Sequence, residues 1–596
     1  MEYKTREDVP TEYKWDLTLR YQDDQEWEAD YHTLTEKVKE IEKYKGKVVD
    51  SSENLFNALS KYFEIDEKLG KLYVYAYLKN TEDLSKSSNK LMLDKASNLY
   101  TQFSYYSSYL EPEILSCDEE VIKRYIKEFD NLKEYEFFLT RLLRTKEHIL
   151  SEEDEKMISL LIKTNGAFSD ASSILKDSAI SFGTLVDDDG NEVELTQGNY
   201  RKFLQSTNRE LRKEAYYKMF SNLMPYQNVF STLLISRYES FDAMAKVRHY
   251  KDSFDMTIFD NNVPVDVNKS LYRVIDKRLD VYRKYYQMIK DCLNVKTLYP
   301  YDLSTRLISY NKKYSIEEAK ELVLNALSCM GDEYVSVLKK AYDERWIDFC
   351  TYKGKESGAY SYGNYGNNPV VFLNYNYKLD DVSALAHELG HAVHSYLSEI
   401  NNTYVNAEHE LFVAEVASLT NEILLSNYIL NNSNSKEEKA ASIYNLLDII
   451  QNNLFDAALE GEFENILHAR VNNGETLSTD DLNNTIYNLR KKYYGNTVEL
   501  LDETKYGWIR RTHYYRPFYL YQYAVGVSSA CFAAKKIISG DKEFLNNYLK
   551  FLKAGGTKYP VDLLNMAGID VMGEEVFNSA IDYFDELIDE FKKLTD

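Results

Sequence analysis

The stretch "ALAHELGHAVHSY", residues 384 to 396, places His387 and His391 four apart with Glu388 directly after the first, in a segment otherwise mostly apolar or small. Asp380 and Asp381 precede it and suit an N-cap or first turn, while Leu385, Leu389 and Val393 recur at helical spacing. The spacing predicts a helix. On that helix residues 387 and 391 differ by about 400°, so both imidazoles leave one face a turn apart, close enough to bind one ion. Glu388 is rotated by about 100° from His387, which sets it beside such an ion rather than on it, where a general base is needed. A bare five-residue pattern of this kind arises by chance in long chains. Here, however, four of the nine histidines (His387, His391, His394 and His409) fall within 23 residues.

A catalytic zinc takes three protein ligands and keeps one position for water, so a third ligand is required. The next helical segment, "LFVAEVASLTNEILL" (411 to 425), holds Glu415 between Val413, Ala414, Val416 and Ala417. An ionised carboxylate among apolar neighbours is costly unless a cation compensates it. Glu415 is therefore the favoured third ligand, with His394, Glu408, His409 and Glu410 as competitors. His394 shares a face with His387 but stands about 10 Å along the axis from it, which suits a structural role. Glu408, His409 and Glu410 lie in a polar stretch that reads as a loop. Glu422, seven residues after Glu415 and on the same face, either holds a ligand histidine by its free N–H or forms a plain salt bridge. Two imidazoles and a carboxylate also accept other first-row metals, so zinc is inferred from ligand type.

Around this segment the chain runs to 596 residues, longer than a single core usually grows, so two or more lobes are expected. Only 8 Pro and 22 Gly punctuate it, which favours long helices over many tight turns. A formal charge of −24 repels phosphate backbones and anionic lipid surfaces, which argues against nucleic-acid and membrane partners. Five scattered cysteines without CxxC spacing suggest neither a disulfide framework nor a thiolate metal site. The opening "MEYKTREDVPTEYKWDL" lacks the apolar core of a secretion signal, and no apolar run approaches the ~18 residues of a membrane span. The expected address is cytoplasmic. Tyrosine is abundant (53 copies), which weakens any argument from a single tyrosine.

Helical periodicity extends from about residue 24 to 180, as in "EEDEKMISLLIKTNGAF" (152 to 168), and predicts an N-terminal helical lobe. "ISFGTLVDDDGNEVELT" (180 to 196) sets two β-prone runs around Asp189-Gly190, a hairpin signal. Helices resume from about 198 to 345. "GKESGAYSYGNYGNNPVVFLNYNY" (354 to 377) then predicts a loop followed by a strand, with Pro369 at a strand start or edge. Helices return from 381 to the end. These breaks divide the chain into an N-terminal lobe, 1–197, ending in the hairpin, and a catalytic domain, 198–596.

The pairing of HELGH with Glu415 in "FVAEVASLTNE" (412 to 422) resembles the thimet-oligopeptidase-like zinc peptidases, the oligoendopeptidase F branch most closely. "YKWDLTLRY" (13 to 21), "SGAYSYGNYGNNPVVFLNY" (357 to 375), "HYYRPFYLYQYAVG" (513 to 526) and "KAGGTKYPVDLLNMAGID" (553 to 570) resemble that family in the same order, over nearly the whole chain. The resemblance implies a mainly α, two-lobed helical shell around an internal substrate channel, with a small β-sheet near the zinc helix. It implies a zinc-dependent endopeptidase that hydrolyses internal bonds of short peptides, with one zinc on His387, His391 and Glu415 and Glu388 as general base. It further implies that the strand near 370 to 375 pairs with substrate backbone through an exposed edge, with Gly358, Ala359, Tyr360, Val371 and Phe372 at the substrate. His513, Tyr519 and Tyr523 match the histidine and tyrosines that stabilise the oxyanion in the family. Gly526 stands where other branches carry a further tyrosine, and Tyr521 is the alternative donor.

Overall fold

The computed structural model describes residues 3–151, 153–155, 157–158 and 166–595. Helices make up most of it, and two small sheets complete it. By packing, the chain forms two compact units, each assembled from three separated segments. The residues through Lys146, Asn311–Asn431 and Ala533–Ile569 make the first; Glu147–Tyr310, Asn432–Phe532 and the residues from Asp570 onward make the second. Residues 197 and 198 both fall in the second unit, so division by packing differs from the division by sequence pattern. Among the described residues no helix is long and apolar enough to cross a membrane.

The second unit contains the expected hairpin, with β1 (Thr184–Val186) antiparallel to β2 (Glu192–Glu194). Its turn is built by Asp187, whose Oδ1 accepts the amides of Asp189 at 3.0 Å and Asn191 at 2.9 Å, and by Gly190 at φ 83°. The helix expected over 152 to 168 lies largely outside the described residues. Tyrosines form much of this unit's core. Tyr282, Tyr285, Tyr286, Tyr493 and Tyr494 are buried, and Tyr282 donates to Asp456 at 2.6 Å, so the rings supply apolar area while that hydroxyl finds an acceptor. Asp302, wholly buried, accepts from Arg209 at 2.8 Å and Arg212 at 2.7 Å.

In the first unit, helix Ser52–Glu82 begins at Ser51, whose hydroxyl accepts the Asn54 amide at 3.1 Å. Leu55, Leu59, Leu69, Leu72 and Ala76 lie along its buried stripe. Val370 and Phe372 belong to the same apolar cluster as the C-terminal half of this helix, so a small sheet leans on it. In that sheet β3 (Ile347–Cys350) runs parallel to β5 (Val370–Tyr375), and β4 (Tyr360–Tyr362) pairs antiparallel on the other side, in the order β3-β5-β4. Only β5 was legible as a strand. β4 has three residues, too few to display a two-residue period, and all four residues of β3 are buried, so it shows no alternation.

β5 leads straight into helix Leu379–Asn401, which carries the two-histidine motif. Asp381, in its first turn, accepts the amides of Lys378 at 2.8 Å and Asn376 at 3.1 Å, satisfying donors at the helix start. A second long helix, Leu411–Asn432, carries Glu415 and Glu422.

Candidate metal centre

The two helices approach closely at one place. A Cβ on Gly390 would stand 2.6 Å from Ser418 Cα, 2.8 Å from the Ala417 carbonyl oxygen and 2.9 Å from Ser418 N. All three are backbone atoms that cannot rotate away, so only glycine fits the crossing. Asn421 ties the helices together, its Nδ2 donating to the Ala386 carbonyl at 3.0 Å while Tyr334 donates to its Oδ1 at 2.9 Å. Glu422 adds a further tie by accepting from Ser383 Oγ at 2.6 Å.

These contacts bring three donor atoms to one point. His387 Nε2 and His391 Nε2 are 3.2 Å apart, and Glu415 Oε2 lies 3.5 Å from the first and 3.7 Å from the second. Among the described residues, this is the group of three whose ligand atoms all lie within 4.8 Å of one another. Such a triangle is circumscribed by a circle of radius about 2.0 Å, the length of a bond from zinc to nitrogen or carboxylate oxygen. The residues present therefore fit a first-row divalent ion.

His387 Nδ1 meets Glu422 Oε1 at 2.6 Å. With Nδ1–H donating to that carboxylate, the lone pair on Nε2 is left facing the triangle. Of the two sequence readings of Glu422, the structure contains the histidine-holding one. Ser418 Oγ donates to Glu415 Oε2 at 2.9 Å, orienting the same oxygen that faces the histidines.

Glu388 sits beside the triangle and is 8 % exposed. Burial, opposed by the charge on His387 and reinforced by Glu415 and Glu422, pushes its carboxyl up to about 7, while the Ser361 amide donates a hydrogen bond that opposes the rise. Burial depresses His387, but the hydrogen bond and charge of Glu422, then Glu415 and Glu388, outweigh it and raise the imidazole to about 9. Burial and the neighbouring His387 lower His391 to about 4. Three carboxylates around two imidazoles make a site short of positive charge, which a divalent cation supplies.

The competing ligands stand elsewhere. His394 is buried and stacks on His409, ring centroids 3.7 Å apart, so both serve packing. Glu410 pairs with Arg141 at 2.7 Å.

The strand reading needs a correction. β5 is the central strand, paired on both sides, and Val371 and Phe372 are fully buried, so neither offers a free backbone edge. The edges belong to β3, whose four residues are all buried, and to β4, which Gly358 and Ala359 lead into and Tyr360 begins.

His513, Tyr519 and Tyr523 come together within the second unit. The His513 ring is 6.0 Å from each tyrosine ring, and the two tyrosines meet edge to face at 5.2 Å. Burial first, then Arg511 and Arg516, hold His513 below its usual range, which favours the neutral ring. Tyr521 turns away into the core, 3 % exposed and against Phe254 at 6.0 Å.

Sequence reasoning missed Gly390, Ser383, Ser361 and Asn421. A small residue on each helix, Gly390 against Ala417 and Ser418, was the available signal for the crossing.

The peptidase family M3 model matches residues 202–583, and the Oligopeptidase F model matches residues 113–182. Oligopeptidase PepF of Bacillus subtilis is 35 % identical over 590 residues, covering 99 % of this chain and 88 % of that protein. An oligoendopeptidase F homolog of Lactococcus lactis is 32 % identical, covering 100 % and 99 %. Among solved structures, one from Chlamydophila abortus is 32 % identical with a TM-score of 0.91 over all of both chains. Oligoendopeptidase-F from Enterococcus faecium is 29 % identical with a TM-score of 0.73, covering 96 % of this chain and 100 % of that one.

Proposed function

This chain belongs to peptidase family M3, and from that premise we propose that it is a zinc-dependent endopeptidase hydrolysing internal bonds of short oligopeptides. The observation that carries the reading is the convergence of His387 Nε2, His391 Nε2 and Glu415 Oε2 beside the buried Glu388. The names of the relatives, oligopeptidase and oligoendopeptidase F, support the substrate size class. The matched segments, 113–182 and 202–583, fall on either side of residue 197 and support a catalytic portion beginning near residue 198. Five scattered cysteines without CxxC spacing support a reducing, cytoplasmic address.

His387, His391 and Glu415 are the proposed zinc ligands, a donor set suited to catalytic zinc. When bound, zinc supplies Lewis acidity toward water and the peptide carbonyl. Glu388 takes the proton from the attacking water and delivers it to the departing amine, a task suited to a carboxyl poised near neutrality. Glu422 keeps His387 in the tautomer whose Nε2 is free. Peptide backbone aligns along the edge strand β4, in place of β5, so binding draws on main-chain hydrogen bonds and tolerates many sequences. His513, Tyr519 and Tyr523 donate to the carbonyl oxygen as it gains charge.

The test is cleavage of a terminally blocked peptide, followed by mass analysis with and without chelator, beside elemental analysis of the protein. Internal cleavage, zinc bound, loss with chelator and return on zinc addition are expected. Release of terminal residues alone, or full activity in a metal-free preparation, would overturn the reading.

A further inference from the structure

Helix Ala457–Asn472 carries a buried carboxyl group that the proposed chemistry does not use. Glu464 is fully buried; its Oε1 accepts the Phe518 amide at 3.2 Å, and the Leu520 amide faces the same carboxyl group. Those two amides bracket Tyr519. Phe518 has φ 57°, a left-handed conformation that a residue with a side chain rarely adopts unless its surroundings impose it.

One turn earlier on the same helix face, Glu460 pairs with Arg511, two residues before His513. Two glutamates of one helix thus grip the loop at both ends. The Phe518 ring, 5.0 Å from Phe254 and 4.5 Å from His468, wedges the turn from below.

Burial raises the Glu464 carboxyl well above the usual carboxylate range, which favours its uncharged form. Its Oε2, like the hydroxyls of Tyr238, Tyr272 and Tyr514, has no hydrogen-bond partner among the described residues. A polar group left this incompletely satisfied is costly in a core, and it is retained where an apolar residue would pack better. What it does deliver is an acceptor for the Phe518 amide, with the Leu520 amide facing it.

We infer that Glu464 is a positioning residue for Tyr519, tying the backbone on both sides of that tyrosine to a rigid helix and so fixing the direction of the phenol. The inference rests on the donor role assigned to Tyr519 above.

The test is a double-mutant cycle on the full-length, zinc-loaded protein. Tyr519→Phe should lower kcat by about 10²- to 10³-fold, as expected for loss of an oxyanion donor. Glu464→Leu should lower kcat at least about tenfold with KM and zinc content unchanged, since misplacing a catalytic group costs rate rather than binding. The double variant should be no slower than Tyr519→Phe within about threefold, because an absent hydroxyl cannot be misplaced. Glu464→Gln keeps an oxygen for both amides and should stay within about threefold of the parent. Should Glu464→Leu fail to fold, Glu464→Asp, whose acceptor is drawn back by one methylene, replaces it with the same expectations.

A Tyr519→Phe variant with parental kcat would sink the donor role, and the role of Glu464 with it. A slow Tyr519→Phe beside a fully multiplicative or unaffected Glu464→Leu, or a Glu464→Gln as slow as Glu464→Leu, would sink the role of Glu464 alone.

Discussion

His387 and His391 stand on consecutive turns of one helix, and Glu415 stands on a second helix pressed against it at Gly390. His513 lies instead in a short 3-10 turn, Thr512–Tyr515, and Tyr519 follows a left-handed Phe518. The first group is held by regular backbone geometry, the second by particular side chains gripping an irregular loop. Rigid helices fix donor atoms to a fraction of an ångström without further support, as metal ligands require. A loop can aim hydroxyls that no helix would bring together, but it depends on remote anchors such as Glu460 and Glu464. Substitutions near the donor triangle should therefore separate chemistry from architecture cleanly, whereas those in the loop should not.

The largest effect tests the chemistry alone. Glu388→Gln preserves shape and leaves the triangle of donor atoms untouched, so zinc content should equal the parent's while kcat falls by about 10²- to 10⁴-fold, the range for a lost general base. Elemental analysis and single-turnover cleavage of a blocked peptide check it. Parental turnover would remove Glu388 from the proton path.

Next comes the support of a ligand. Glu422→Ala deprives His387 Nδ1 and Ser383 of their acceptor, and zinc affinity should weaken by about 10- to 100-fold. Competition with a chromophoric chelator measures it. Unchanged affinity would mean that the helix alone orients the ring, which would sharpen the contrast with the loop.

Third is the helix crossing. Alanine at 390 gains roughly 1 kcal/mol in helix propensity over glycine. Against that, its Cβ meets three backbone atoms of Ala417 and Ser418 at 2.6–2.9 Å, and overpacking of this kind costs about 1–3 kcal/mol. Gly390→Ala should therefore lower the melting temperature and loosen zinc, because Glu415 lies one turn before Ser418 on the displaced helix. A more stable variant with parental zinc affinity would show that the crossing has slack.

These differences also decide what could be read from the chain. The group His387, His391 and Glu415 was legible because a four-residue spacing on a helix is a spatial statement in itself, while the same periodicity placed Glu422 on the face of Glu415 and left its partner open. β5 was legible as a strand, yet its continuous apolar run "VVFLNY" is the signature of a strand buried between neighbours, and that signature outweighs the edge suggested by Pro369. Glu464, between Phe463 and Asn465, gave no more signal than any helical glutamate, since the loop it holds lies more than fifty residues away. Tyrosines in the segment from 513 to 526 could be listed but not sorted, because their directions depend on where the loop ends and the helix from Leu520 begins.

The smallest expected effect turns on that sorting. From residue 519 to 523 the chain completes about one helical turn, so those side chains share a side, while residue 521 lies about 200° from the first and points opposite. Tyr521 accordingly is buried against Phe254, whereas Tyr519 and Tyr523 remain half-buried around His513. Tyr521→Phe removes a hydroxyl that never reaches the reacting carbonyl, and kcat should stay within about twofold, about 0.4 kcal/mol on the barrier. Steady-state kinetics beside Tyr519→Phe and Tyr523→Phe measure the difference. If Tyr521→Phe were the slow variant and Tyr519→Phe the silent one, the loop would present its opposite face during catalysis, and the grip of Glu460 and Glu464 would describe a resting form rather than the working one.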